Sequence, residues 1–97
     1  MLTHSERASF WEDWRSLTPE QREQFQKARR KFVHDLKQGQ GIRAGLRVKR
    51  VQKVPGVYEI TWAPDGRATF EFGDEIHPGE SHVIWRHIGS HEILNNA

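Results

Sequence analysis

The sequence predicts an α+β domain in which two N-terminal helices pack on one face of a small antiparallel sheet of about four strands. Three observations predict it. Apolar residues recur at steps of three and four between positions 10 and 36, and the pattern changes to strict alternation between 46 and 72. Two clusters of turn residues, Val54-Pro55-Gly56 and Ala63-Pro64-Asp65-Gly66, divide the alternating stretch into three runs of strand length. Helices and strands are therefore segregated along the chain, the mark of an α+β layout.

Residues 1–5 carry no legible pattern. From about Arg7, the residues Phe10, Trp11, Trp14 and Leu17 fall at helical spacing, giving a short amphipathic helix that ends before Thr18-Pro19. Thr18 opens a second helix. Its hydroxyl can cap the first turn, Pro19 suits the first helical position, Glu20 favours the helix dipole, and Gln21 completes a capping box. Phe25, Ala28, Phe32 and Leu36 carry the apolar stripe onward, so the helix should run to about Gln38 and stop at Gly39. At ~1.5 Å per residue it is roughly 28 Å long, enough to lie across a small sheet. Residues 38–45, with three glycines, read as a flexible link.

The sheet begins with Leu46-Arg47-Val48-Lys49-Arg50-Val51-Gln52-Lys53, followed by runs at 57–62 and 67–72. Between the last two, Pro64 and Asp65 suit the central positions of a type I turn, and Gly66 can take the positive φ of a glycine bulge. With period 2, Tyr58, Ile60, Trp62, Ala68, Phe70 and Phe72 share one face, and Glu59, Thr61, Arg67, Thr69 and Glu71 share the other. Phe25, Phe32, Trp14 and Leu17 are expected to cover the apolar face. A loop at 73–81 leads to a last strand at 82–88 and then to Gly89-Ser90-His91 and a short tail. If Trp85 packs inward with Val83, His87 goes with it and Arg86 takes the wet face with Ile84.

Ninety-seven residues suit one domain, 1–97, with a single two-layer core. A formal charge of +2 is too small to identify a nucleic-acid binder by itself, so only clustering of cations can do so. The absence of cysteine excludes disulfides, thiolate nucleophiles and thiolate metal sites. His77 and His82 flank a loop with Glu75 and Glu80, but a solvated loop is the better reading than a metal site. No apolar run approaches the roughly 20 residues of a membrane span, and the N-terminus lacks a signal peptide's apolar segment, so a cytoplasmic location is expected. The polar sheet face carries Arg67 and is flanked by Arg47, Lys49, Arg50 and Lys53, so it can hold an anion or be an ordinary wet face.

The order helix, helix, basic strand, Val54-Pro55-Gly56-Val57-Tyr58 bend, hairpin with Gly66-Arg67 opening its second strand, and closing Ile88-Gly89-Ser90-His91 resembles the RelE/ParE superfamily of bacterial type II toxins. Trp14-Arg15-Ser16-Leu17 is similar to that family's first helix. The resemblance implies a metal-independent, cofactor-free mRNA endonuclease (an mRNA interferase) that works on the ribosome, inhibits translation and is held inactive by a cognate antitoxin. In such enzymes the ribose 2′-hydroxyl is the nucleophile, and the protein supplies proton carriers and cations.

Carried over by position, Arg67 matches the family's phosphate-stabilising arginine, and His91 matches a position held there by Arg or His. An imidazole, with an unperturbed pKa of about 6.5, suits proton transfer near neutrality. Lys49, Arg50 and Lys53 match the basic approach to the bend; with Arg47 and either Arg86 or His87 they are the expected RNA contacts. Glu59 and Thr61 stand where some family nucleases have lysines, which offers Glu59 as a carboxylate base. The family's strand before the first helix has no legible counterpart in residues 1–5, and the sole tyrosine, Tyr58, falls on the core face. The ParE branch, which shares the fold and inhibits DNA gyrase without catalysis, and a noncatalytic RNA-binding module remain alternatives.

Overall fold

A computed structural model describes residues 2–96. Strand β1 (Thr3–Glu6) is followed by helices α1 (Ala8–Arg15) and α2 (Pro19–Gln38), then by a 3₁₀ turn at Ala44–Leu46. Strands β2 (Lys49–Arg50), β3 (Val57–Thr61), β4 (Gly66–Gly73) and β5 (His82–Ser90) come next, and a C-terminal 3₁₀ segment, His91–Asn96, ends the description. The sheet has five strands in the order β1-β5-β4-β3-β2. All neighbours are antiparallel except β1, which runs parallel to β5. The architecture is α+β, but the sheet is mixed and has one strand more than the sequence predicts.

Helix α2 forms where its local signals place it. Thr18 Oγ1 accepts from the Gln21 N–H while Gln21 Oε1 accepts from the Thr18 N–H, a closed capping box. Gly39 ends the helix with φ +69°, a left-handed conformation that glycine adopts without steric cost. Phe25, Ala28 and Phe32 of α2 and Phe10 of α1 are buried against Ile60, Trp62, Ala68, Phe70, Val83, Trp85 and Ile88 of the sheet, with Trp14 and Leu17 half-buried beside them. Trp85 is the centre of this layer. Its ring lies 5.2 Å from that of Phe25, 5.4 Å from Phe70 and 5.8 Å from Phe32. Phe72, expected in the core, is 46% exposed at the far end of β4.

The stretch 46–53 is the largest departure from the alternating pattern. Leu46 is buried from a 3₁₀ turn rather than a strand, Arg47 has φ +50°, and only Lys49 and Arg50 join the ladder. A non-glycine residue held in the left-handed region costs on the order of 1 kcal/mol, so the surrounding contacts must fix it there. The bend that follows is as read: the Val57 N–H donates to the Val54 carbonyl, Pro55 leads the turn, and Gly56 has φ +79°.

Gly66 is a correction. The hairpin turn closes, with the Gly66 N–H donating to the Ala63 carbonyl, yet Gly66 is not among the glycines of positive φ. Space explains the residue: a Cβ there would lie 2.6 Å from Trp62 Cε2 and 2.7 Å from Cδ2, inside a rigid fused ring. Gly66→Ala is accordingly expected to cost about 1–3 kcal/mol through overpacking. A urea melt reads this as a lower midpoint at unchanged slope; an unshifted midpoint would show that the indole moves freely.

Two further features place side chains that the sequence left open. Thr69 pairs with His87 but Phe70 pairs with Trp85, so Arg86 is an extra residue, a β-bulge. The bulge reverses the alternation along β5: Val83 and Trp85 enter the core before it and Ile88 after it, so His87 does not follow Trp85 inward. The C-terminal 3₁₀ segment then crosses the sheet face opposite the helices, with Leu94 packed against Val51 and Val57. This is why Thr69 and Glu59, expected on a wet face, are 0% and 5% exposed. Gly89 permits the crossing, since a Cβ there would lie 2.9 Å from Ile93 Cγ2.

Candidate nucleic-acid interface

The helix-free face gathers most of the residues that the sequence singles out. Lys49 of β2 stands opposite Glu59 of β3, and Lys49 Nζ lies 3.8 Å from Glu59 Oε1. They line a groove of about 260 Å³ with Arg50, Gln52 and Lys53, closed on one side by Leu94 and Asn95. The Arg50 guanidinium also reaches the Tyr58 ring, 5.8 Å from its centroid. Glu59 is thus a buried carboxylate at the wall of a groove lined by cations.

Arg67 sits diagonally from Glu59 on the same face, because Thr61 pairs with Arg67 while Glu59 pairs with Thr69. Same-face diagonal neighbours lie roughly 7–8 Å apart, within the span of one phosphodiester and its two flanking sugars. The Arg67 side chain folds over the hairpin, where Nη1 donates to the carbonyls of Gly66 at 3.0 Å, Pro64 at 3.3 Å and Ala63 at 3.4 Å. Among the described residues no carboxylate pairs with it, so its charge is not neutralised. In register, Arg67 pairs with Gly89, and exposed His91 begins the 3₁₀ segment two residues later. Arg67 and His91 therefore share one end of the sheet.

The other predicted RNA contacts are placed differently. Arg86 Nη1 donates to Glu71 Oε2 at 3.1 Å on the helix-free face. His87 Nδ1 lies 2.9 Å from Asp13 Oδ2 of α1, and that oxygen also accepts the Ile88 N–H. The ring is thereby turned to the α1 edge, away from the groove. Arg47 lies on the helix side, beside a cleft that its left-handed backbone helps to shape. His82 is turned to β1, with Nδ1 2.8 Å from Thr3 Oγ1 and Nε2 3.2 Å from Ser5 Oγ. Among the described residues no group of three or more His, Asp or Glu side chains could hold a metal ion.

The 38–45 link, expected to be flexible, is tied down at Arg43. Asp35 accepts from the Arg43 guanidinium at 2.8 and 2.9 Å and from the Arg43 backbone N–H at 3.0 Å. These bonds, the side-chain ones first, hold the Asp35 carboxyl well below the usual carboxylate range and push Arg43 up. With a depressed folded value, the clasp contributes stability above the ordinary carboxylate pKa of about 3.9 and loses it as pH falls through the lower folded value. In Arg43→Ala, the Asp35 carboxyl is expected to titrate in the ordinary range by NMR. If it stays low, Arg43 is not the cause.

No family model matches the chain, and no curated protein matches it in sequence. Solved structures do. The chain superposes on E. coli YafQ with a TM-score of 0.66 at 12% identity, covering 97% of this chain and 98% of that one. A structure of the E. coli DinJ-YafQ toxin-antitoxin complex gives a TM-score of 0.66 at 13% identity, over 96% of each chain. A copper-bound mutant toxin from Helicobacter pylori gives 0.67 at 16% identity, over 97% of this chain and 99% of that one. The chain has the fold of these toxins over nearly its whole length, as the resemblance to the RelE/ParE superfamily predicted. No helix is long and apolar enough to cross a membrane among the described residues.

Proposed function

We propose that the chain is the toxin of a type II toxin–antitoxin pair and cleaves mRNA on the ribosome at the helix-free face of its sheet. One observation supports this reading: an arginine without a carboxylate partner among the described residues and a carboxylate share one face of a toxin fold by strand register, and a histidine follows the strand paired with that arginine. Glu59 takes the proton from a ribose 2′-hydroxyl, and the oxygen attacks the adjacent phosphorus. Arg67 stabilises the charge that develops on the non-bridging oxygens. His91 gives a proton to the departing 5′-oxygen, leaving a 2′,3′-cyclic phosphate and a 5′-hydroxyl. The RNA supplies the nucleophile, so the chemistry needs neither a deep pocket nor a metal. Lys49, Arg50 and Lys53 hold the strand by its phosphates.

A cognate antitoxin is the natural partner, as DinJ is for YafQ, and the cytoplasm is the natural location. The test is induction in a bacterial host, with primer extension on total mRNA. Cleavage within translated codons supports the proposal. Intact mRNA accompanied by gyrase-linked DNA breaks favours the alternative of a noncatalytic gyrase inhibitor, to which one observation lends weight: Arg86 and His87 are engaged by Glu71 and Asp13.

A further inference from the structure

A cleft of about 490 Å³ opens between α2, the Ala44–Leu46 turn and the β3–β4 hairpin, and of its lining residues the proposed cleavage chemistry uses Arg67 alone. Its volume falls within the range of small-ligand sites. The lining has two chemistries. Leu46, Trp62 and Pro64 supply apolar surface, while Lys27, Lys31, Arg47 and Arg67 supply charge from three separate segments; Arg43, held by Asp35, borders it as well. No Asp or Glu lines the cleft, and among the described residues no carboxylate pairs with those four cations. Four like charges brought together repel one another, so the arrangement is suited to a polyanion that neutralises them. Trp62 is buried between this cleft and a smaller pocket beside Leu17 and Gln21, so its ring is a fixed wall.

We propose that this cleft binds a nucleotide unit, its phosphates on Lys27, Lys31 and Arg47, with Arg67 at the rim it shares with the hairpin, and its base on Leu46, Trp62 and Pro64. A bare phosphate would leave the apolar surface uncovered. The occupant is either a free nucleoside polyphosphate or one nucleotide of an RNA strand, the recognition chemistry being common to both. Because binding is measured without cleavage, the site stands or falls separately from the endonuclease proposal.

The test is calorimetric titration of the full chain with GTP, with a short single-stranded RNA and with inorganic tripolyphosphate. Each is repeated on Lys27→Ala/Lys31→Ala, which leaves Arg67 untouched. Both lysines are exposed on α2, where alanine is the best helix former, and an unshifted thermal melt confirms that the variant is folded. GTP or RNA is expected to bind wild type and to weaken at least about tenfold in the double variant, the scale of lost charge-assisted hydrogen bonds. GTP binding identifies a free nucleotide, and RNA binding without GTP binding identifies a strand. The assignment is overturned if neither binds, if the affinity is equal in the folded double variant, or if tripolyphosphate binds as tightly as GTP.

Discussion

Arg67→Ala is expected to lower mRNA cleavage by about 10²- to 10³-fold, the usual consequence of removing one donor that stabilises transition-state charge. The fold should survive. The side chain is half-buried and donates only to the carbonyls of Ala63, Pro64 and Gly66, and those of Ala63 and Gly66 also accept backbone N–H groups that remain when the guanidinium is removed. The pairing of position 67 with Thr61 and Gly89 runs through the backbone and does not depend on the guanidinium. Arg67→Lys keeps the charge but loses the planar fork, so it should restore part of the rate and little of the geometry. Yields of primer-extension stops in a translation extract measure the effect, with the melting temperature as control. Cleavage within a few fold of wild type in a folded Arg67→Ala protein would remove Arg67 from the chemistry.

Much of this arrangement was legible because it is local. The capping box at Thr18 and Gln21, the apolar stripe through Phe25 and Phe32, and the paired turn clusters placed α2 and the β3–β4 hairpin from short-range signals. The strand β1 left no such trace. Its residues Thr3–Glu6 show no apolar alternation, and it exists through parallel pairing with β5, whose residues lie almost 80 positions away. At 46–53 the alternation was real but misleading. Leu46 owes its burial to a turn, and the left-handed Arg47 ends the pattern before the ladder starts.

The site divides in the same way. Periodicity put Glu59 and Arg67 on one face correctly, since both lie in regular strand. Choosing between Arg86 and His87 required the bulge, which is fixed by the packing of Trp85 and Ile88 from opposite sides of it. The cationic cleft was hidden for a different reason. Lys27 and Lys31 are one turn apart on the exposed side of α2, where lysines are usually just solvated; only the fold brings Arg47 and Arg67 across from them.

Glu59→Gln should lower cleavage by about 10²- to 10⁴-fold, the range for loss of a positioned proton acceptor. The substitution keeps the side chain's shape and removes its ability to take a proton. A structural role is the competing explanation, because Glu59 is buried and faces Lys49 at 3.8 Å. The two make different forecasts for the partner. If Glu59 matters only as the counter-ion of Lys49, then Lys49→Met and Glu59→Gln should shift the melting temperature and the rate together, and the double variant should be no worse than either. If Glu59 is the base, the Glu59→Gln loss should appear at unchanged stability. Lys49→Met should then weaken RNA binding while leaving the rate at saturating RNA close to that of wild type. A Glu59→Gln protein that cleaves as wild type does would transfer the base to another group, and His91, at the same end of the sheet as Arg67, would be the next side chain to replace.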